Sequence, residues 1–307
     1  MIQILLLCFF LNTNVTNAGV NGYLFLRINP DAYSSAMANS GLGKGFTKES
    51  NGFNFTINPA YLLTGSKIGI TYLNYIAGVQ IGGVSYIQSK PLPFLTSGGL
   101  GVIYLNSGSI KKTDEYGREI GSFAVSYINF ALSGSYEVLY EKLLVGANIK
   151  FLVGAIDSFS SLGFAGDLGF CYQTPVKGLN LGAVVKNLGL EVKSFNGNND
   201  RLPLDLGAGL DYQILRNIHI ALGLHKPIES SIQVNCGGEF LIQQYLRFRI
   251  GYNTRGEFYR QNSSDILAGL SFGFGIRLAP GALDYSFIPM GSLGYIHNLT
   301  FSLPLKK

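Results

Sequence analysis

Apolar residues fall at every second position through long stretches of the chain. Leu143, Val145, Ala147, Ile149, Phe151 and Val153 alternate with Leu144, Gly146, Asn148, Lys150, Leu152 and Gly154. The same period recurs over residues 162–173 and 204–212. Over residues 266–277 it sets Ile266, Ala268, Leu270, Phe272, Phe274 and Ile276 against Gly269, Ser271, Gly273, Gly275 and Arg277. A helix would space these residues by three and four, so period two predicts strands. Segments near positions 67, 78, 98, 121, 142, 159, 178, 204, 217, 230, 244, 264, 281 and 294 make about fourteen, an even number as a closed single-chain bacterial barrel requires. A soluble sandwich would carry dense Lys and Glu on its polar face. Here that face is Gly, Ala, Ser and isolated charges, which favours lipid outside and a lumen inside. The expected fold is an all-β transmembrane antiparallel barrel.

The residues before 67 follow another pattern. Asn29-Pro30-Asp31 is a helix-start signal, with Pro preset for the first helical position and Asp at the positive dipole end. It predicts a small-residue helix over residues 32–40, stopped by Gly41. Asn58, Pro59 and Ala60 repeat the signal before Gly65. Such a segment is too short and too polar to span lipid, and predicts an N-terminal hatch folded into the lumen over residues 19–66, with the barrel over 67–307. Residues 2–11 are an apolar run, followed by polar residues 12–17 and the small residues Thr16 and Ala18. That reads as a secretory signal over residues 1–18, cleaved after about Ala18, and predicts export to the outer membrane of a diderm bacterium.

Composition agrees with a membrane barrel. Charged residues make up 13% of the chain, against roughly 25% in an average soluble domain. Residues 68–89 carry no charge, yet Asn74, Gln80, Gln88 and four glycines interrupt them, so no spanning helix is expected there. The net charge of +5 comes without a basic run, which excludes nucleic acid as a partner on sequence grounds. Cys171 and Cys236 lie in strand-like segments, and with His219, His225 and His297 they form no metal-ligand spacing. No cofactor motif is present.

Candidate catalytic patterns fail on context. Gly269-Leu270-Ser271-Phe272-Gly273 matches a nucleophile elbow, but that motif needs a strand-to-helix turn and Ser271 lies within a strand pattern. His297 beside Asn298 lacks a second feature. Residues 41–45 are glycine-rich without the Lys-Ser/Thr pair of a phosphate cradle. No catalytic residue is assigned. The inward positions are more informative: Lys150, Lys186, Arg247 and Arg249 share the lumen face with Asp167, Asp205 and Asp211. Mixed signs predict pairing or attachment of a plug, whereas a selectivity ring would favour one sign.

Several ordered segments carry a resemblance. Phe25 to Ile28, Ala36 to Asn39, Asn58-Pro59-Ala60, Asp114 to Gly121, Lys186 to Gly189, Gly269 to Gly275 and the closing Leu283-Asp284-Tyr285 with Gly291, Leu293, Gly294 and His297 resemble the PorV/PorQ family. Those outer-membrane barrels are related to the FadL fatty-acid transporters. Ile57 stands where an aromatic often precedes the Asn-Pro-Ala motif, and the chain ends in Lys307 in place of a terminal aromatic. The resemblance implies a non-catalytic accessory or shuttle role in type IX protein secretion, with secreted cargo, secretion-complex proteins, membrane lipid and the barrel-assembly machinery as partners. The alternative it implies is a FadL-like route for hydrophobic small molecules.

Overall fold

The computed structural model describes residues 22–46, 51–61, 65–139, 142–195, 197, 200–261 and 265–305. The proposed signal over residues 1–18 lies outside them. The wall starts with β1 (Ser66–Asn74), β2 (Gln80–Ser89) and β3 (Ser97–Asn106), and continues after a detached hairpin, β4 (Ile110–Thr113) and β5 (Glu119–Phe123). Four long strands follow, β6 (Val125–Leu139), β7 (Leu143–Ile156), β8 (Phe159–Gln173) and β9 (Leu179–Lys193). The circuit is completed by β10 (Asp205–Leu215), β11 (Ile218–Pro227), β12 (Gln233–Ile242), β13 (Leu246–Asn253), β14 (Leu270–Leu278), β15 (Gly281–Pro289) and β16 (Tyr295–Leu305). Each strand pairs antiparallel with its neighbours, and β1 closes on β16 from Ser66↔Leu305 to Asn74↔His297. Closure removes every free edge, so the wall's backbone groups are satisfied without water.

Period two sorts the side chains as the sequence pattern requires. On β7, Asn148, Lys150 and Leu152 are buried toward the lumen while Ile149 and Phe151 face outward, Ile149 being 65% exposed. Ile70, Leu132, Phe164, Phe248 and Ile250 extend this outer apolar surface around the wall. In water so large an uncovered patch would drive aggregation; against acyl chains it is the matched solvent. The barrel has fourteen strands.

One expectation needs correction, and two features add to the pattern. The alternation expected from Ile266 begins at Leu270; Ala268 is buried in the preceding turn, where its amide donates to the Asp265 carbonyl. The β4–β5 hairpin is an addition, held to the next loop by Lys112 and Asp157. On β9 the alternation breaks at Asn187 (φ 61), where the register against β8 shifts between Gly166 and Leu168. Lys186 and Asn187 therefore both reach the lumen. Cys171 and Cys236 are free.

One end of the barrel holds Ser66, Leu305 and mostly short turns; the other carries the longer loops. Heat-modifiable migration and β-rich circular dichroism in detergent are the expected signature, and a water-soluble helical monomer would contradict the fold.

Candidate ligand-binding cavity

The N-terminal segment threads the bore. It begins at the loop end, where the Gly22 amide donates to the Arg201 carbonyl, and leaves near the start of β1, where Ser135 Oγ donates to the Tyr61 carbonyl. Between these points α1 (Ala32–Ala36) is capped by Asp31, whose carboxylate accepts from the Ser34 amide at 2.9 Å. The helix is shorter than expected, because Ala38 and Asn39 turn the chain with positive φ before Gly41 is reached. Among the described residues Asn58-Pro59-Ala60 opens no helix. Instead Asn58 accepts from the Ala60 amide at 2.9 Å and donates to the carbonyls of Leu42 (2.8 Å) and Phe170 (3.1 Å), tying hatch to wall.

Inward Ser and Thr residues complete the attachment. Ser85 donates to the Gly52 carbonyl at 2.7 Å and Ser271 to that of Ala36 at 2.9 Å, while Thr300 accepts from the Ala32 amide. They satisfy hatch backbone groups that a helix this short leaves unpaired. Ser271 is thus occupied as a strut. His297 faces outward and bonds Tyr285, with Asn298 on the opposite face. Within the glycine-rich turn, the Gly43 amide donates to Asp211 at 2.7 Å.

The sequence-selected charges lie in linked clusters along the bore, with Asp205 opposite Lys186. Lys150 donates to Asp167 (2.7 Å) and Asn187 (2.8 Å), and neighbouring Lys186 to the hatch carbonyl of Thr56 (2.7 Å). Asp205 and Asp211 lie on one strand and bond His225 (2.9 Å) and His219 (3.0 Å). Near the short-turn end, Arg249 reaches Glu239 at 2.7 Å and Asp284 at 2.8 Å, Arg247 lies 3.5 Å from Glu239, and Arg277 lies 3.1 Å from Asp284. The Tyr33 ring meets two cations in this last group: Lys44 Nζ is 3.2 Å and the Arg249 guanidinium 4.4 Å from its centroid. Such contacts stabilise a desolvated cation. Glu239, Asp284, Lys44 and both histidines were not selected from sequence.

Burial pushes the Lys44 ammonium down to about 8, with Glu239 opposing that shift and Arg249 and Arg247 reinforcing it. The hatch therefore binds fewer protons at Lys44 than the undocked chain between pH 8 and the ordinary lysine range. Stability rises with pH across that window, and the gain is lost as pH falls through about 8. At full effect this is on the order of 3 kcal/mol. Hydrogen-exchange protection factors in residues 22–46, which are corrected for base-catalysed intrinsic exchange, should rise from pH 8 to 10.5, and Lys44→Met should flatten this dependence.

Above the charged groups, at the loop end, hatch and wall line an open cavity of about 520 Å³. Leu24, Phe25 and Ile28 form its hatch side; Leu73, Tyr75, Val79, Leu105, Ile288, Met290 and Ile296 form its wall. Phe25 is fixed by stacking on Tyr127 at 5.0 Å, and Tyr127 in turn meets Tyr23 edge-on at 5.5 Å. Arg27, ion-paired to Glu229, and Arg255 are the charged residues of its lining. A second, smaller chamber of about 120 Å³ lies deeper against β6, β7 and β12, and shares Phe25, Arg27, Asn39 and Asn253 with the first.

Neither a family model nor a curated protein matches the sequence. Solved structures do match in three dimensions. The CymD monoaromatic hydrocarbon channel is 13% identical with a TM-score of 0.57, over 96% of this chain and 100% of its own. The P. putida toluene transporter TodX is 13% identical at 0.52, over 79% and 91%. A Pseudomonas aeruginosa FadL homologue is 10% identical at 0.52, over 87% and 98%. The chain shares the barrel fold of these structures. In this fold, the cavity lies between the hatch and the loop end of the wall.

Proposed function

We propose that the protein is a non-catalytic outer-membrane channel for hydrophobic small molecules, with the long loops facing outward. The observation that carries this reading is the 520 Å³ cavity, mostly apolar in its lining and large enough for a small hydrophobe. The channels of similar fold are described as acting on monoaromatic hydrocarbons or toluene. The secretion role placed first on sequence gives way to this alternative, because the similar structures are described as hydrocarbon channels or a FadL homologue and not as secretion components. A secreted protein co-purifying in stoichiometric amount would restore it.

Val79→Trp and Ile288→Trp fill the cavity from two wall positions. Each should lower hydrophobe affinity at least about tenfold, the loss of one to two buried side chains' worth of contact. Melting should change little, since the added rings enter existing space. Displacement of a fluorescent naphthalene probe by toluene or decane in lipid nanodiscs measures this. Unchanged affinity in both variants would remove the cavity from the transport path.

A further inference from the structure

At the short-turn end of the bore the pairs that hold the hatch leave positive charge over. A cavity of about 200 Å³ there is lined by Lys44 of the hatch, Arg216 of the β10–β11 turn, and Glu239 and Arg247 of the wall. Glu239 already receives Arg249 at 2.7 Å and has Arg247 3.5 Å away. Asp211, the other carboxylate whose field reaches Lys44, is engaged at both oxygens, by His219 at 3.0 Å and by the Gly43 amide at 2.7 Å. Among the described residues Lys44 therefore donates to no acceptor, and its ammonium rests 3.2 Å from the centre of the Tyr33 ring instead. Arg216 is exposed at the cavity mouth and forms no ion pair among them. A neighbouring cavity of about 330 Å³ shares Arg247 and adds Lys67 and Arg277, with no carboxylate on its described lining. The field therefore stays positive across this end of the lumen.

We propose that the smaller of these cavities binds a free, doubly charged oxyanion of the phosphate class between Lys44, Arg216 and Arg247, joining hatch to wall. Three cations against one carboxylate on the described lining leave an excess that a dianion closes. Water would satisfy the N–H bonds but leave the charges uncompensated, and a metal cation would add to the excess. Guanidinium groups present paired N–H donors that match the edge of an oxyanion, and an ammonium adds a point charge. Arg247 is buried toward the lumen, while its neighbour Phe248 and Phe240, next to Glu239, face outward. The cavity thus lies inside the wall, away from the headgroups of the surrounding bilayer. The site is independent of the apolar cavity at the loop end and stands whether or not that cavity carries a transported molecule.

Hydrogen exchange of the intact barrel with its hatch, in phospholipid-free dodecyl maltoside just below pH 8, tests this with Lys44 mostly charged. Inorganic phosphate at about 20 mM should raise protection factors in residues 22–46 at least about threefold over chloride of equal ionic strength, the factor 1 + [L]/Kd for a Kd of about 10 mM. Sulfate should act like phosphate, and acetate, with one charge, should not. Arg216→Gln should bring the phosphate response within about 1.5-fold of chloride. Lys177→Gln, which removes an exposed cation of the neighbouring turn outside the lining, should leave the response intact. Equal protection in phosphate and chloride overturns the proposal, and so does an acetate response as large as that of phosphate. A response kept in Arg216→Gln, or lost equally in Lys177→Gln, also overturns it, because the ion would then act elsewhere or through the field of the whole surface. Both variants replace exposed turn residues, and the anion series on the parent decides the matter even where a variant does not fold.

Discussion

Arg249→Met should undock the hatch while leaving the barrel closed on itself. Arg249 is 4% exposed and holds Glu239 and Asp284 together while covering one face of Tyr33. Its loss leaves Glu239 with Arg247 and Lys44, and Asp284 with Arg277. Removing one member of such a buried group costs up to about 3–5 kcal/mol, because the remaining cations compensate the two carboxylates only in part. Adding Asp284→Asn removes part of that uncompensated charge, so the double variant should be closer to the parent than the single one. The wall's backbone ladder is untouched, and heat-modifiable migration should persist. Protease cleavage within residues 22–61 and conductance in planar bilayers should both rise in Arg249→Met and partly recover in the double variant. If single and double variants stay as closed as the parent, packing alone fills the lumen and the charges do not hold the hatch.

The barrel was legible because its two solvents lie on opposite faces of every strand. Residues 143–154 alternate without interruption, and lipid on one side with lumen on the other leaves no alternative to a closed wall. What departed from the pattern did so at local backbone features. Asn187 in the left-handed region turns two consecutive side chains inward, and alternation counting cannot anticipate that bulge. The helix start at Asp31 was readable from capping chemistry, whereas the same tripeptide logic failed at Asn58, whose amide bonds the wall carbonyl of Phe170. Propensity yields there to a tertiary partner. Arg247 and Arg249 could be placed inside from their apolar neighbours, but Glu239 lies in a strand with less regular alternation. Its pairing with Arg249 depends on the register that puts those two residues opposite each other.

The cavity was the least legible part. Leu73, Leu105, Ile288 and Ile296 read as ordinary apolar positions within their strands, and their inward direction shows only once the register is known. A signal that could have been used earlier is the inward polar set. Ser85, Ser271 and Thr300 sit on the lumen face, at positions where a water-filled pore would also carry polar groups. Hydroxyls here bond the hatch backbone, which makes them marks of a filled bore.

Gly146→Val and Gly182→Val should each push the hatch off the wall, and together should prevent docking. A Cβ at Gly146 would lie 2.1 Å from the Pro59 carbonyl oxygen and 2.6 Å from the Ala60 amide nitrogen. At Gly182 it would lie 2.0 Å from the Leu42 carbonyl oxygen. These contacts are with backbone, which cannot rotate aside as a long side chain could, and overpacking even by methyl groups costs about 1–3 kcal/mol where neighbours can adjust. Here adjustment means moving residues 42 and 59 together, and Asn58 joins them by bonding the Leu42 carbonyl and capping the Ala60 amide. Valine suits the strands themselves, so the wall should still assemble. The double variant should migrate as a folded barrel, lose protection of residues 22–61 and conduct ions that the parent excludes. Gly82→Val is the control: its Cβ would meet nothing closer than 4.0 Å, and closure should be unchanged. A double variant as closed as the control would mean that the hatch can reseat away from both glycines, and close approach to the wall would not be what fixes its position.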